Sequence, residues 1–332
     1  FTVTHGSSTK MRQQYKTVSR AESGMTLVEL LVAMALSGLV ALAAVSILIV
    51  ARQGFTSVDS SSQLRDNERF ATSIMRRIIT QSGYLEEKYA IDTASDFLTK
   101  SPEEIEPNIK GFNNAKYNQN LATGVSTTVS TTGYNNSDML VIRYQAGETY
   151  INSGISDQTM INCSGSSQST AITSTERMLS VFHIAVNADT NEPSLMCTWV
   201  NDAGTWSTQP LISGVESLQL LYGTDGVTTG AAPTETEDSF PDSYLRADQL
   251  TVASNHAATL ATGRRVRSIR VGMVIRGPAG SAPEKTVPAQ YPLGAEGVMN
   301  IAADTGSTFS SQTDGRLRKS ITFTIHLRDP HD

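Results

Sequence analysis

One carboxylate stands apart from every other charged group in the 332-residue chain. Glu29 is the only charged residue in the run from Met25 to Ala51, MTLVELLVAMALSGLVALAAVSILIVA. An ionisable group in an apolar span costs about 2.5–3.5 kcal/mol at mid-membrane, less near an end, and is normally paired. A partner becomes available if the backbone is cut after Gly24. The new α-amine of Met25 then lies four residues before Glu29, one helical turn away. Such an amine has a reference pKa of about 7.7–8 and is largely cationic at neutral pH. Amine and carboxylate attract strongly in a low dielectric, within one helix or between neighbouring chains. Between chains, that pairing would set the axial register of one helix against the next.

The other candidate groups point to no reaction. GxSxG, P-loop, GxGxxG and HExxH patterns are absent from the sequence. The histidines, His5, His183, His256, His326 and His331, are scattered, and His183 and His326 fall in alternating segments that suit sheet-surface or satisfied core roles. Glu235, Glu237, Asp238 and Asp242 supply oxygen ligands, but without EF-hand spacing a solvated loop is the expectation and no metal or cofactor is assigned. Arg264, Arg265, Arg267 and Arg270 form a basic run without aromatic interleaving, which suits contacts with partner subunits or solvent. The net charge is −6, although residues 1–24 alone balance to +3, so the rest of the chain is more acidic still. An acidic body argues against nucleic acid as a partner. Cys163 and Cys197 form no CxxC pair. If the body is exported they would close one disulfide loop of 34 residues, worth roughly 3–4 kcal/mol; two unpaired buried thiols are the alternative.

The elements that must carry these groups begin with the apolar run itself. Its 27 residues exceed the ~20 needed to cross a bilayer as a helix. Lys10, Arg12, Lys16 and Arg20 precede it, and Arg52 is the first charge after it beyond Glu29. That asymmetry keeps residues 1–24 in the cytoplasm and carries the C-terminal body across the membrane. A secretory signal would be shorter and end in a small-x-small site, which Ala51-Arg52-Gln53 does not provide. A plain signal anchor fits the length but gives no reason for Glu29. Beyond Ala51 an amphipathic helix continues, with Phe70, Ile74 and Ile78 at i, i+4, i+8 beside Ala71, Met75 and Ile79, and Gly83 as its stop.

Residues 84–137 read as irregular, with Pro102, Pro107 and an Asn/Thr/Ser/Gly-rich stretch. Period-2 alternation then predicts strands at Met139–Tyr144, Met178–Val186, Leu195–Val200, Val215–Tyr222, Val266–Arg276 and Ser320–Arg328. A short helix is expected within Asp242–Leu250. Strands with one polar face suit an antiparallel sheet packed on a helix, an α+β arrangement.

The string Gly24-Met25-Thr26-Leu27-Val28-Glu29-Leu30 behind a basic leader resembles the type IV prepilin signal. The departure is Met25, where most major pilins have Phe. The resemblance implies that a membrane-embedded prepilin peptidase cuts at Gly24–Met25 and methylates the amine of Met25, and that Glu29 is the assembly carboxylate. Later segments, GVESLQLLYGTD at 214–225, RVRSIRVGMVIRG at 265–277 and RLRKSITFTIHLRD at 316–329, are similar to PilW-class minor pilins and to the related J-class minor pseudopilins of type II secretion. The fold implied by this likeness is a type IV pilin fold, a long N-terminal transmembrane and amphipathic helix packed on an antiparallel β-sheet domain. Its parts would be a leader over 1–24 (14 residues long if the start is Met11), a membrane half over 25–51, an amphipathic half over 52–83 and an exported body over 84–332. The implied role is structural rather than enzymatic: initiating or capping a type IV pilus with other minor pilins, the major pilin, the prepilin peptidase and the inner-membrane assembly platform. The protein would sit in the inner membrane as a single-pass chain with a periplasmic body and pass into the pilus. A J-class pseudopilin is the first alternative. A signal-anchored periplasmic enzyme or binding protein, uncut and indifferent to Glu29→Ala, is the second.

Overall fold

A computed structural model describes residues 24–86, 107–124, 126, 128–169, 177–282, 288–294, 304–310 and 312–328. Residues 1–23 of the expected leader over 1–24, together with Pro102 and His331, lie outside the described residues. The chain divides into two units, Phe1–Arg52 and Gln53–Asp332.

Helix α1 runs over Leu27–Ile79, and by length and composition it is able to cross a membrane. Leu, Ala, Val and Ile supply its apolar surface. The hydroxyls inside it return their protons to the helix backbone, Ser37 to the Met34 carbonyl and Ser46 to the Leu42 carbonyl, both at 2.9 Å. Sequence reading extends this helix to Gly83, but it ends at Ile79. Gln81 and Ser82 donate to the carbonyls of Ile78 and Ile79, a tighter last turn. Gly83 then adopts φ +78° and its N–H donates to the Arg143 carbonyl.

In the second unit, Ser60, Leu64, Ala71, Met75, Ile78 and Ile79 of α1 are buried. The buried stripe is therefore displaced from the expected one, and Phe70 lies on its exposed flank, 50% accessible. Small Ala71 permits close approach where a phenylalanine would hold the helix off. Lys319 and Glu68 add an ion pair between the last strand and this helix.

Strands β1 (Ile109–Phe112), β2 (Met139–Tyr144), β3 (Met178–Val186), β4 (Pro193–Val200) and β5 (Trp206–Ser213) form an antiparallel sheet in chain order. A second antiparallel sheet has the order β7 (Ser243–Leu245), β6 (Val215–Thr224), β8 (Val266–Arg276), β9 (Arg318–His326). Between the β1 and β2 segments lies the one-turn helix α2 (Gln119–Ala122), and α3 (His256–Arg264) precedes β8. Asn255 caps α3, its Oδ1 accepting from the Ala258 N–H at 2.9 Å.

The chain passes from the first sheet to the second at Gly214. Its N–H donates to the Pro193 carbonyl and its carbonyl accepts from the Arg276 N–H, both at 2.7 Å. With φ +83°, and with the Arg276 oxygen 2.6 Å from where a Cβ would stand, this position requires glycine.

The α+β class and the antiparallel pairing agree with the sequence reading, and three strands, β2, β3 and β8, have the expected bounds. Others differ. β5 contains Pro210 and lacks alternation, so nothing local announces it. The expected helix in Asp242–Leu250 is instead β7 followed by a 3₁₀ turn at Asp248–Leu250. Alternation predicts one polar, solvated face for β8, yet none of its positions is exposed, because both faces are covered. At Gly272 the Pro292 carbonyl oxygen lies 2.3 Å from where a Cβ would stand.

One core joins α1 to β2, β3, β4, β6, β8 and β9, with Met75, Ile78, Tyr144, Phe182, Leu195, Leu218 and Met273 at its centre. A smaller cluster on the far face of the first sheet gathers Phe112, Leu121, Met139 and Val181. Cys163 and Cys197 are joined by a disulfide, Cα–Cα 5.7 Å, that ties β4 to the loop before β3.

Candidate functional site

The N-terminal end of α1 is built from Gly24 to Glu29. Thr26 immediately precedes the first helical residue, Leu27, and stands in the capping position. Its N–H and its hydroxyl both donate to Glu29 Oε2 at 3.1 Å, and its Oγ1 accepts from the Glu29 N–H at 3.2 Å. Thr26 and Glu29 thus form a reciprocal capping box, which satisfies N–H groups that the first turn leaves without helical partners. An acidic residue in the first turn also faces the positive end of the helix dipole.

Sequence reasoning singles out Gly24, Met25 and Glu29 and passes over Thr26. The signal is present, because Thr-x-x-Glu ahead of an apolar run is the pattern of such a box. The consequence is chemical. Glu29 already has a local partner, and its carboxylate is drawn toward the Gly24–Met25 end of the helix by two hydrogen bonds from Thr26. Gly24 and Met25 are exposed, and a Cβ at Gly24 would meet nothing within 4 Å.

The charged runs in the body are consumed by internal pairing. Arg265 bonds to Glu237 at 3.0 Å and Arg267 to Asp225 at 3.3 Å, while Arg270 lies 4.3 Å from the centre of the Tyr244 ring. Arg264 alone of the four is exposed, so the basic run makes no continuous patch. Asp242 accepts from the Gly226 N–H, and the Glu235 carbonyl accepts from Arg265. Among the described residues no group of three His, Cys, Asp or Glu side chains is placed to hold a metal ion.

A second network is more deeply buried. Glu216 on β6 receives Arg318 of β9 at 2.6 Å and Arg276 of β8 at 2.9 Å. Arg276 and Arg316 both reach Glu192 in the β3–β4 turn. Burial alone would raise the Glu192 pKa, but the two guanidinium groups hold it below its ordinary value. This cluster locks β6, β8 and β9 together, and it is structural.

His183 is buried on β3. Its Nε2 lies 2.9 Å from Thr198 Oγ1, and its ring stacks on Tyr117 at 4.8 Å. Burial lowers its pKa to about 4, so it is neutral at physiological pH. His326 is exposed on β9 and His256 opens α3, so the three stand on separate elements.

Against known proteins, the prokaryotic N-terminal methylation motif matches residues 19–45 and the type IV pilus-assembly protein W family matches residues 181–329. Among solved structures, a type IV-like pilin from Thermus thermophilus aligns at 10% identity. That alignment covers 80% of this chain and 96% of the other, with a TM-score of 0.36, too loose for comparison of positions. No curated protein matches the chain. A methylation-type N-terminus leading into a membrane-length helix, followed by an antiparallel β body, is an arrangement similar to that of type IV pilins. The match to the pilus-assembly protein W family extends from the middle of β3 to just past β9, so this chain is similar to that family over somewhat less than half of its length.

Proposed function

We propose that this protein is a minor pilin that helps to initiate or cap a type IV pilus. The observation that carries this reading is the occurrence, on one chain, of the methylation motif over 19–45 and the pilus-assembly region over 181–329. The prepilin peptidase cuts at Gly24–Met25 and methylates the Met25 amine. That amine then competes with Thr26 for the Glu29 carboxylate. Within an assembling bundle the charged amine of one subunit and the carboxylate of another set the axial position of the incoming helix, because an unpaired charge in the apolar layer is unfavourable.

The apolar surface of α1 from Leu27 to Val50 is exposed throughout and supplies the helix-to-helix contact. The chain enters the inner membrane with its basic leader on the cytoplasmic side and its body in the periplasm, then leaves the membrane with the pilus. Its partners are other minor pilins, the major pilin, the prepilin peptidase and the inner-membrane assembly platform. The body acts as a structural surface, and no reaction is assigned to it.

The test is deletion of the gene in its host, with sheared surface pili and type II exoprotein secretion measured in parallel. Loss of pili with normal secretion is the expected result. Normal pili with failed secretion would transfer the protein to the J-class pseudopilins and overturn the reading.

A further inference from the structure

Asp138 stands immediately before β2, at the seam between the two sheets. Its Oδ1 accepts the Asn114 N–H at 3.0 Å and its Oδ2 accepts the Leu220 N–H at 2.8 Å. Its own N–H donates to the Leu218 carbonyl at 2.8 Å, and the Ser137 hydroxyl oxygen accepts the Leu218 N–H at 3.2 Å. One carboxyl group thus stitches the loop after β1 and the start of β2 to β6, the first sheet to the second.

The groups whose charge acts on Asp138 are Tyr222 of β6, Arg246 and Asp248 beyond β7, and Asp304. Arg246 donates from Nε and Nη2 to Asp248 at 3.0 and 2.8 Å, so its charge is already matched. That leaves Asp138 and Asp304, only 2% and 9% exposed. Asp304 Oδ1 accepts the Gly306 N–H at 3.2 Å, whereas its Oδ2 is buried without a hydrogen-bond partner. The Tyr222 hydroxyl and Gln219 Oε1, on side chains with no exposed surface, are also without partners. Gln219 packs on Gly306, where a Cβ would stand 2.5 Å from that Oε1, so a second orphaned acceptor lies beside the Asp304 loop.

A buried carboxyl group without a counter-ion takes up a proton rather than hold its charge. Burial pushes Asp138 well above the usual carboxylate range, against the pull of its two N–H donors, and raises Asp304 as well. We propose that Asp138 and Asp304 retain one proton between them at neutral pH, which makes the seam between the sheets a pH-sensitive clasp that loosens as the proton leaves. Neither neighbour changes charge in that range. Burial holds the Tyr222 hydroxyl far above its ordinary value, and the hydrogen bonds to Asp248 keep Arg246 charged. A proton held more tightly in the fold than in the unfolded chain contributes stability at acid pH, and that stability is lost as pH rises through the folded value.

The test uses the full-length protein in detergent. Infrared difference spectroscopy at neutral pH is expected to show the carbonyl stretch of a protonated carboxyl group, absent from Asp138→Asn/Asp304→Asn. No such band in the native protein would overturn the proposal. If the double variant does not fold, the native band decides: it should fade as pH rises, and a band unchanged into alkaline solution would overturn the clasp. Denaturant midpoints over about pH 5 to about pH 9 supply the second readout. Asp304→Asn keeps the acceptor for Gly306 and removes one charge of the pair. Its midpoint should match the native value at the acid end and exceed it increasingly toward the alkaline end. A shift of equal size at every pH is what a purely structural role produces, and it would overturn the proposal. A native midpoint that falls on adding EDTA, with no protonated carboxyl band, would show that a bound cation neutralises the pair instead.

Discussion

Three hydrogen bonds join Thr26 to Glu29, and they give the glutamate two separable tasks, capping a helix and carrying charge. Thr26→Val removes the cap and keeps the charge. Loss of such a cap costs about 1 kcal/mol, so amide exchange over residues 27–30 in detergent is expected to speed up roughly fivefold. Glu29→Gln keeps an acceptor for Thr26 and discards the charge. If the charge sets subunit register, Glu29→Gln and Glu29→Ala should both fail in pilus incorporation, and incorporation of Glu29→Gln at the native level would refute that role. His183 makes a second prediction at this scale. An unfolded histidine takes up a proton below about 6.5, whereas His183 in the fold resists protonation down to about 4. Its depressed pKa therefore leaves stability intact above pH 6.5 and removes it progressively as pH falls toward 4. The loss approaches about 3 kcal/mol by the linkage relation. His183→Phe should flatten that part of the pH profile of the denaturant midpoint.

Among the elements, β6, β8 and β9 depend on the cluster around Glu216. Glu216 and Arg318 are both buried, and each satisfies the other's charge at 2.6 Å. Arg318→Leu leaves Glu216 with Arg276 alone and leaves Asp314 without its short contact. Removing one partner of a buried ion pair costs about 3–5 kcal/mol. A fall in thermal midpoint is the expected outcome, with Glu216→Leu/Arg318→Leu losing less than the sum of the single changes. Additive losses would mean that the two side chains do not act as a unit. The same elements show how far local patterns reach. β2, β3 and β8 carry enough alternating apolar residues to be recognised with the bounds they have. β5 does not, because Pro210 interrupts it and its stability comes from pairing with β4.

For the whole molecule, the disulfide between Cys163 and Cys197 closes a loop of 34 residues and ties β4 to a segment that has no regular structure of its own. Thiol labelling of the unreduced native protein is expected to modify neither cysteine. Reduction should lower stability by about 2–4 kcal/mol, read as a shift in denaturant midpoint, and an unchanged midpoint would show that the crosslink adds nothing. Both sulfurs are buried, so reduction should require partial opening of the body, and its rate should rise with denaturant.

The amino-acid sequence by itself determined the features that depend on neighbours along the chain. The membrane-length run with its single carboxylate, the Gly24–Met25–Glu29 spacing, the Thr26-x-x-Glu29 cap and the period-2 strands are all local, and local sterics and hydropathy settle them. The tertiary structure decided what depends on residues far apart. Glu216 and Arg318 meet across 102 positions of chain, and Asp225 and Arg267 across 42. No periodicity announces such partners, because a charged residue in sequence reads the same whether solvent or a distant arginine awaits it. Phe70 lies off the buried stripe for the same reason: helical spacing groups residues on a face, but only the sheet beneath that face selects Ala71 for close contact.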